Sequence, residues 1–155
     1  MKVFLVDDSP EIRERLSGML YGLKGVEIVG QADRAATAIS SIRAIKPDVV
    51  LLDIQLIGHE TGIDVLEQIE REKPAPKVIM LTNYPYPQYR KRCLEAGADF
   101  FFDKSIEFDD LVPVIQKLAM TNESSNGRPS GRIDDTGEPT NAMVYTTMVY
   151  RSRDS

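Results

Sequence analysis

The sequence has little of several residue types, and each shortage excludes a class of protein. Cys93 is the one cysteine in 155 residues, so no intramolecular disulfide can form, as is typical of a reducing compartment. No run approaches the roughly 20 apolar residues of a membrane-spanning helix, and the N-terminal run KVFLV passes straight into two aspartates, unlike a signal peptide. Lys and Arg number 19 against 24 Asp and Glu, and the net charge of −5 argues against a basic nucleic-acid-binding surface. We therefore expect a cytoplasmic protein that binds no membrane and no nucleic acid directly.

The composition changes near residue 120, and this change predicts one domain followed by a tail. The length suits one domain of common size, which we place at residues 1–119. Residues 120–155 form a polar tail, and the stretch 121–141 has almost no large apolar side chains to offset the entropy cost of ordering its backbone. We expect that stretch to be disordered. The β-prone stretch 142–150 has two readings: an extended arm without function, or a strand that docks on the sheet edge of a partner.

Short β-prone runs alternate with segments of helical period along residues 1–119. Three of the runs, VFLV, VVLL and VIML, are continuously apolar, as expected for strands that are covered on both faces of a parallel sheet. The second run alternates more and suits an edge strand. The strands are predicted at Lys2–Val6, Val26–Ala32, Val49–Leu52, Lys77–Leu81 and Asp99–Phe102. The helices are predicted at Pro10–Leu23, Ala35–Ile45, Gly62–Glu72, Pro87–Ala96 and Glu107–Ala119.

Five βα units in succession predict the fold class. Right-handed crossovers place helices on both faces of the sheet, which gives an α/β, doubly wound, five-stranded parallel sheet with the common strand order 2-1-3-4-5. In such folds ligands bind beyond the carboxyl ends of the strands, at the switch between strands 1 and 3. The residues at those ends are therefore the candidates for function.

Polar side chains stand at the carboxyl ends of four predicted strands. Strand 1 ends in Asp7 and Asp8, strand 3 in Asp53 and strand 4 in Thr82, while strand 5 runs to Lys104. Three carboxylates gathered in one cleft raise one another's pKa unless a cation neutralises them, and Mg²⁺ prefers such oxygen ligands. A carboxylate can also attack phosphorus and form an acyl phosphate. Together these residues indicate phosphoryl transfer to an aspartate.

Four segments together resemble the receiver domain of two-component response regulators, over roughly residues 1–119: FLVDDSPEIRERL, DVVLLDIQL, VIMLTNY and AGADFFFDKS. The resemblance implies a CheY-like, flavodoxin-like fold and a phosphoacceptor that turns over no separate substrate. Asp53 would receive a phosphoryl group from the phosphohistidine of a sensor histidine kinase or a phosphotransfer protein. The domain would then bind an unknown downstream protein, or form a homodimer through the face of the fourth helix and fifth strand.

The resemblance also implies a metal site beside the phosphoacceptor. Asp8 would ligate Mg²⁺ with help from Asp7, and Asp53 would be a further ligand. The backbone carbonyl of Gln55 would be the third protein ligand. On local grounds alone, the segment after strand 1 could instead cap the first helix, and the two roles can coexist.

The remaining implied roles concern the phosphoryl oxygens and the switch. Thr82 and Lys104 would hold phosphoryl oxygens, and Phe101 would be the aromatic residue whose rotamer follows phosphorylation, coupled to movement of Thr82. The alternative for Phe101 is a plain core position. The basic cluster Arg90–Arg92 on the fourth helix is either a solvated face or a docking face.

The sequence departs from the family pattern at three places. The loop after Asp53 has Ile57 where the family often has proline, and Gly62 stands one residue late, which indicates a single-residue insertion. Asn83 replaces the small residue that usually follows Thr82 and would narrow access to the site. Ser105 follows Lys104 where many relatives have proline.

Other function classes remain as alternatives. A pseudo-receiver would keep the fold as a binding module and take no phosphate, although the complete acidic set argues against it. A hydrolase of the aspartyl-phosphate type would need an acidic residue at position 55. Gln55 stands there, and its amide cannot act as a general acid or base. A flavin carrier of the same fold would place a phosphate after strand 1, where Asp7 and Asp8 would repel it. His59 and Cys93 are expected to be an exposed loop residue and a buried apolar residue.

Overall fold

The computed structural model describes residues 1–105 and 107–127, and within them the predicted α/β fold is confirmed. The strands are β1 (Lys2–Val6), β2 (Glu27–Ala32), β3 (Val49–Leu52), β4 (Lys77–Thr82) and β5 (Phe100–Asp103). They form one parallel sheet in the order β2-β1-β3-β4-β5, with β2 at an edge as its alternating sequence predicted. The switch in strand order therefore lies between β1 and β3, where ligands of such sheets bind.

Helices cover both faces of the sheet. They are α1 (Pro10–Leu20), α2 (Ala35–Ile45), α3 (Gly62–Ile69), α4 (Pro87–Glu95) and α5 (Leu111–Gly127), the last after a 3₁₀ turn at Phe108–Asp110. Helices α1 and α5 pack on the face that includes Leu5 and Leu51, whereas α2, α3 and α4 pack on the face that includes Phe4 and Leu52. Because neighbouring strand residues point to opposite faces, the continuously apolar strands bury both sets of side chains.

Helix α1 ends earlier than predicted. Its last residue is Leu20 instead of Leu23, because Tyr21 has an extended ψ of 130° and Gly22 has a φ of 89°, which breaks the helical path. Leu23 still packs, partly buried, against the core under α1. The apolar spacing that includes Leu23 therefore predicted its burial correctly, but the prediction that Leu23 belongs to the helix was wrong.

Helix α5 begins and ends later than predicted. It starts at Leu111 instead of Glu107 and runs to Gly127 instead of Ala119, so the predicted disorder is wrong for residues 121–127. A helix that is already packed through Val114 and Ile115 extends by one hydrogen bond per added residue, which the polar composition did not indicate. Residues 128–155, including the β-prone stretch 142–150, lie outside the described residues. The remaining element bounds shift by a few residues at most.

Backbone hydrogen bonds hold the first loop residues against the carboxyl edge of the sheet. The Asp53 N–H donates to the Val6 carbonyl at 2.9 Å, and the Lys104 N–H donates to the Thr82 carbonyl at 2.9 Å. The side chains that follow β3 and β5 are thus fixed where β1 and β4 end. No described helix combines the length and apolar character needed to cross a bilayer.

Gly62 allows α3 to begin directly against the loop that follows β3. Its N–H donates to the Ile54 carbonyl at 2.7 Å, and a Cβ at this position would overlap the carbonyl oxygen of Asp53. The next loop glycine back, Gly58, has a φ of 103° and no atom within 4 Å of a built Cβ. Gly62 is therefore required by close backbone approach, and Gly58 by conformation.

We predict that Gly62→Ala lowers the free energy of unfolding by at least about 2 kcal/mol, because the added methyl group meets backbone that cannot move aside. Gly18→Ala is the matched control: Gly18 lies inside α1 with no atom within 4 Å of a built Cβ, so alanine should stabilise the helix by about 1 kcal/mol or less. Urea unfolding followed by circular dichroism measures both. Equal stability of the two variants would contradict the close approach.

Candidate functional site

An ion-pair network joins the ends of β1, β3 and β5. Lys104 Nζ lies 2.6 Å from Asp7 Oδ2 and 2.9 Å from Asp53 Oδ2. The three residues are 7%, 2% and 4% exposed, respectively, so these charges attract one another in surroundings of low dielectric constant. The sheet thus brings together three of the residues that the sequence placed at strand ends.

Asp8 completes an acidic group with Asp7 and Asp53. Each of the three residues offers a carboxylate oxygen, and these oxygens lie within 4.8 Å of one another. Asp8 is exposed whereas the other two are buried, so the group opens to solvent on one side. Three carboxylates against the single ammonium of Lys104 leave an excess of negative charge. Hard oxygen donors, excess negative charge and an open side for water fit the requirements of Mg²⁺.

The titration of the ion-pair network reflects competing effects. Burial raises the pKa of Asp53 to about 6, while the charge of Lys104 opposes the rise and the charge of Asp7 adds to it. Burial alone would lower the pKa of the Lys104 ammonium, but the charges of Asp53 and Asp7 outweigh it and hold that pKa above its ordinary value. The Asp53 carboxylate is therefore incompletely neutralised by Lys104, and a divalent cation would favour its ionised form.

The loop after β1 holds Asp7 in place and starts α1. Asp7 Oδ1 accepts a hydrogen bond from the Ser9 N–H at 2.9 Å, and Ser9 Oγ accepts from the Ile12 N–H at 3.2 Å as the cap of α1. Capping and the acidic group therefore coexist. Arg13 Nη1 donates to the Asp7 carbonyl at 2.6 Å, a contact that the sequence did not reveal. Arg13 thus fixes the backbone of Asp7 from the first turns of α1.

Thr82 and Gln55 lie beside the same cleft. Thr82 is fully buried, and its Oγ1 accepts a hydrogen bond from the Tyr84 N–H at 3.0 Å, which leaves its hydroxyl proton to donate. The Gln55 N–H approaches Asp53 Oδ1 at 3.4 Å, so the backbone of the β3–α3 loop turns back beside the carboxylate. The Gln55 side chain is exposed.

Phe101 is buried on the α4 side of β5. The guanidinium carbon of Arg90 lies 5.7 Å from the centre of the Phe101 ring, a distance suited to a cation–π contact. Phe100 and Phe102 stack on the opposite face, with ring centres 6.3 Å apart. The basic cluster on α4 is therefore not a uniformly solvated face, because Arg90 is half-buried over the residue expected to act as the switch.

A family model described as the response regulator receiver domain matches residues 3–116. The chain belongs to this family. The similar curated proteins are response regulators too. The chain is 30% identical over 118 residues to the response regulator GacA of Pseudomonas aeruginosa, and the alignment covers 76% of this chain and 55% of that protein. It is 32% identical over 124 residues to the response regulator protein VraR of Staphylococcus saprophyticus, covering 80% of this chain and 58% of that protein. The chain thus spans little more than half the length of these relatives.

Solved receiver structures have the same architecture. A CheY-like receiver domain protein from Methanospirillum hungatei superposes with a TM-score of 0.70 at 27% identity, covering 80% of this chain and 97% of the other. A chain of the CheX-CheY-BeF3-Mg complex of Borrelia burgdorferi superposes with a TM-score of 0.68 at 25% identity, covering 76% of this chain and 88% of the other. The receiver fold expected from the resemblance is thereby confirmed.

Two side predictions also agree with the receiver structure, and several contacts were missed. His59 is exposed, and Cys93 is fully buried with a thiol pKa that burial raises to about 12. The contacts of Arg13 and Arg90 were not predicted. Arg13 lies one helical turn after the Ser9 cap, but that spacing indicates a face only once the start of α1 is fixed.

We predict that Asp53→Asn stabilises the receiver domain at about pH 7 when divalent ions are chelated. The pKa of Asp53 in the folded state is raised to about 6. The contribution of Asp53 to the free energy of unfolding is therefore fully present below about pH 4, and it is lost as the pH rises through about 6. Asparagine has no proton to lose, so the variant should gain about 2 kcal/mol at pH 7 and nothing below pH 4. Urea unfolding at both pH values measures the difference. Asp109→Asn, at an exposed carboxylate, is the control, and an equal gain there would contradict the assignment to burial.

Proposed function

We propose that this receiver domain accepts a phosphoryl group on Asp53 and thereby switches a protein-binding surface. The observation that carries the proposal is the position of the Asp53 carboxylate, which is buried, is paired with the Lys104 ammonium that also binds Asp7, and has a carboxylate of Asp8 close by. Phosphoryl transfer requires positioning and positive charge around the equatorial oxygens more than it requires covalent help from the protein. Family membership, and the similarity to a chain of a CheX-CheY complex with BeF3 and Mg, support the same proposal.

The transfer step follows from the residues of the cleft. One Asp53 oxygen attacks phosphorus while the bond from phosphorus to the donor's imidazole nitrogen breaks, and the electron pair stays on that nitrogen, which takes a proton from solvent. Lys104 would hold one phosphoryl oxygen through its ammonium, and the Thr82 hydroxyl would donate to another. Bound at Asp7, Asp8, Asp53 and the Gln55 carbonyl, Mg²⁺ would supply further positive charge at the phosphoryl oxygens.

The output of the proposed switch runs through protein contacts. A Thr82 hydroxyl drawn toward a phosphoryl oxygen changes the space next to Phe101, which lies on the neighbouring strand beneath Arg90. The surface that such a change would alter is the α4 and β5 face. We propose a histidine kinase or phosphotransfer protein as the donor, and a downstream protein or a second copy of the chain as the partner of that face. The side chain of Gln55 offers no acid or base for steady turnover of phosphate esters.

Acetyl phosphate with Mg²⁺ tests the phosphoacceptor directly. Intact-protein mass spectrometry should show the mass of one phosphoryl group on the wild type and on the control Asp109→Asn, and none on Asp53→Asn, because Asp53 is buried beside Lys104 within the acidic group whereas Asp109 is exposed and lies outside it. A wild-type protein that takes no phosphate would overturn the proposal and favour a pseudo-receiver. Phosphate on Asp53→Asn would move the acceptor to another residue.

Magnesium binding offers a separate test of the acidic group. Asp8→Ala should weaken Mg²⁺ binding at least about tenfold in isothermal titration calorimetry, because it removes one of three gathered carboxylates. Glu11→Ala is the matched control, since Glu11 is an exposed carboxylate in the first turn of α1, outside the group. Equal losses in the two variants would indicate a diffuse charge effect instead of a metal site.

A further inference from the structure

The turn that presents Lys104 has no proline to fix it. Ser105 follows Lys104, and both lie in the turn after β5. Nevertheless, the Lys104 ammonium reaches two buried carboxylates at once, at 2.6 and 2.9 Å. Fixing the rotatable bonds of a long side chain costs conformational entropy. A backbone that is already held leaves fewer bonds to be fixed. The bonds around this turn should therefore account for the position of Lys104.

Asp103 and Glu107 enclose the turn from both sides. The Asp103 N–H donates to Glu107 Oε1 at 2.8 Å, and the Glu107 N–H donates to the Asp103 carbonyl at 2.8 Å. Asp103 Oδ1 accepts two further hydrogen bonds, from the Ser105 N–H at 2.9 Å and from Ser105 Oγ at 2.6 Å. We refer to Asp103, Ser105 and Glu107 with these four bonds as the 103–107 clasp.

The 103–107 clasp joins a turn that β4 already holds. Asp103 is 8% exposed and pairs with Thr82 across the sheet, and the Lys104 N–H donates to the Thr82 carbonyl at 2.9 Å. Consequently the backbone N–H groups of three successive residues, 103 to 105, all have partners. A turn with this many fixed groups has little freedom to tilt, so the direction of the Cα–Cβ bond of Lys104, from which its side chain extends, is set by the backbone.

We propose that the 103–107 clasp is a positioning device that aims the Lys104 ammonium at the phosphoryl site of Asp53. This inference rests on the proposed phosphoacceptor function and extends it to residues that do not touch the reacting atoms. Loss of the clasp lets the turn relax and displaces the ammonium, and small displacements of a charge-stabilising group lower reaction rates strongly. The acidic group proposed to hold Mg²⁺ follows β1 and β3, and none of the four hydrogen bonds of the clasp involves it.

The experiment compares two substitutions at Glu107. Glu107→Ala removes the acceptor for the Asp103 N–H, whereas Glu107→Gln keeps an Oε1 oxygen in the same place. The rate constant for phosphorylation by acetyl phosphate at saturating Mg²⁺ should fall about tenfold in Glu107→Ala and stay close to wild type in Glu107→Gln. Mg²⁺ affinity, measured by calorimetry, should not fall in either variant, because a displaced ammonium only reduces the positive charge beside the acidic group. Asp109→Ala, an exposed neighbour on the 3₁₀ turn, should react like wild type.

Three outcomes would overturn the inference. These are a wild-type rate in Glu107→Ala, an equal loss in Glu107→Gln, or a parallel loss of Mg²⁺ affinity, which would mean general disruption of the site. If Glu107→Ala does not fold, Ser105→Ala decides, because it removes only the Ser105 Oγ bond to Asp103. That variant should lower the rate about threefold, and a wild-type rate would count against the clasp.

A second readout separates failure of the clasp from failure of the proposed function. In ¹⁵N NMR of the protein without Mg²⁺ or phosphate donor, the Lys104 ammonium should give a slowly exchanging signal, because it is buried between two carboxylates. That signal should broaden or vanish in Glu107→Ala and return in Glu107→Gln. If the wild type takes no phosphate, the proposed function fails, and this NMR comparison alone decides the clasp. An unchanged signal in Glu107→Ala would overturn it.

Discussion

The ion pairs from Lys104 to Asp53 and Asp7 are the interaction on which the functional edge of this receiver domain depends. Because β4 lies between β3 and β5, the Lys104 side chain crosses the end of β4 to reach the carboxylates beyond it. Without that ammonium, two buried carboxylates would face each other uncompensated, which typically costs several kcal/mol. One ammonium does not neutralise three carboxylates, so once Asp8 is included the edge keeps an excess of negative charge that could hold a divalent cation.

Most of the fold could be predicted because the sheet is covered on both faces. Burial on both faces gives continuously apolar strands such as Val49–Leu52, and these are the most distinctive signals in the chain. The errors lie at the ends of α1 and α5, where hydrophobic spacing and composition predict other end residues than the structure has. Leu23 continues the apolar stripe of α1 after a glycine has turned the chain, and residues 121–127 continue α5 although their composition is that of a loop. At the first place a glycine with a positive φ ends the helix although the apolar spacing continues, and at the second a helix that is already packed extends into a polar segment.

The residues of the site divide by how far each side chain reaches. Asp7, Asp53 and Lys104 could be predicted because each follows a strand directly, and parallel strands end at one edge. Arg13 and Arg90 could not, because each contact depends on the direction of a long side chain from a helix whose start and packing must be known first. Arg13 holds the backbone of Asp7, and Arg90 packs over Phe101. Contacts of this kind produce no spacing or motif that can be recognised in the sequence.

Strand β5 and the residue that follows it connect the candidate site to the surface through Phe101, Asp103 and Lys104. Phe101 packs beneath Arg90 on the α4 side, Asp103 belongs to the 103–107 clasp, and the next residue is Lys104. A phosphoryl group on Asp53 would compete for the Lys104 ammonium and for the Thr82 hydroxyl, and the Lys104 N–H is bonded to the Thr82 carbonyl. Both attractions therefore act on the same paired ends of β4 and β5. Phe101 pairs with Met80, two residues before the paired ends Thr82 and Asp103. A movement of those ends would therefore reach the packing of Phe101 under α4.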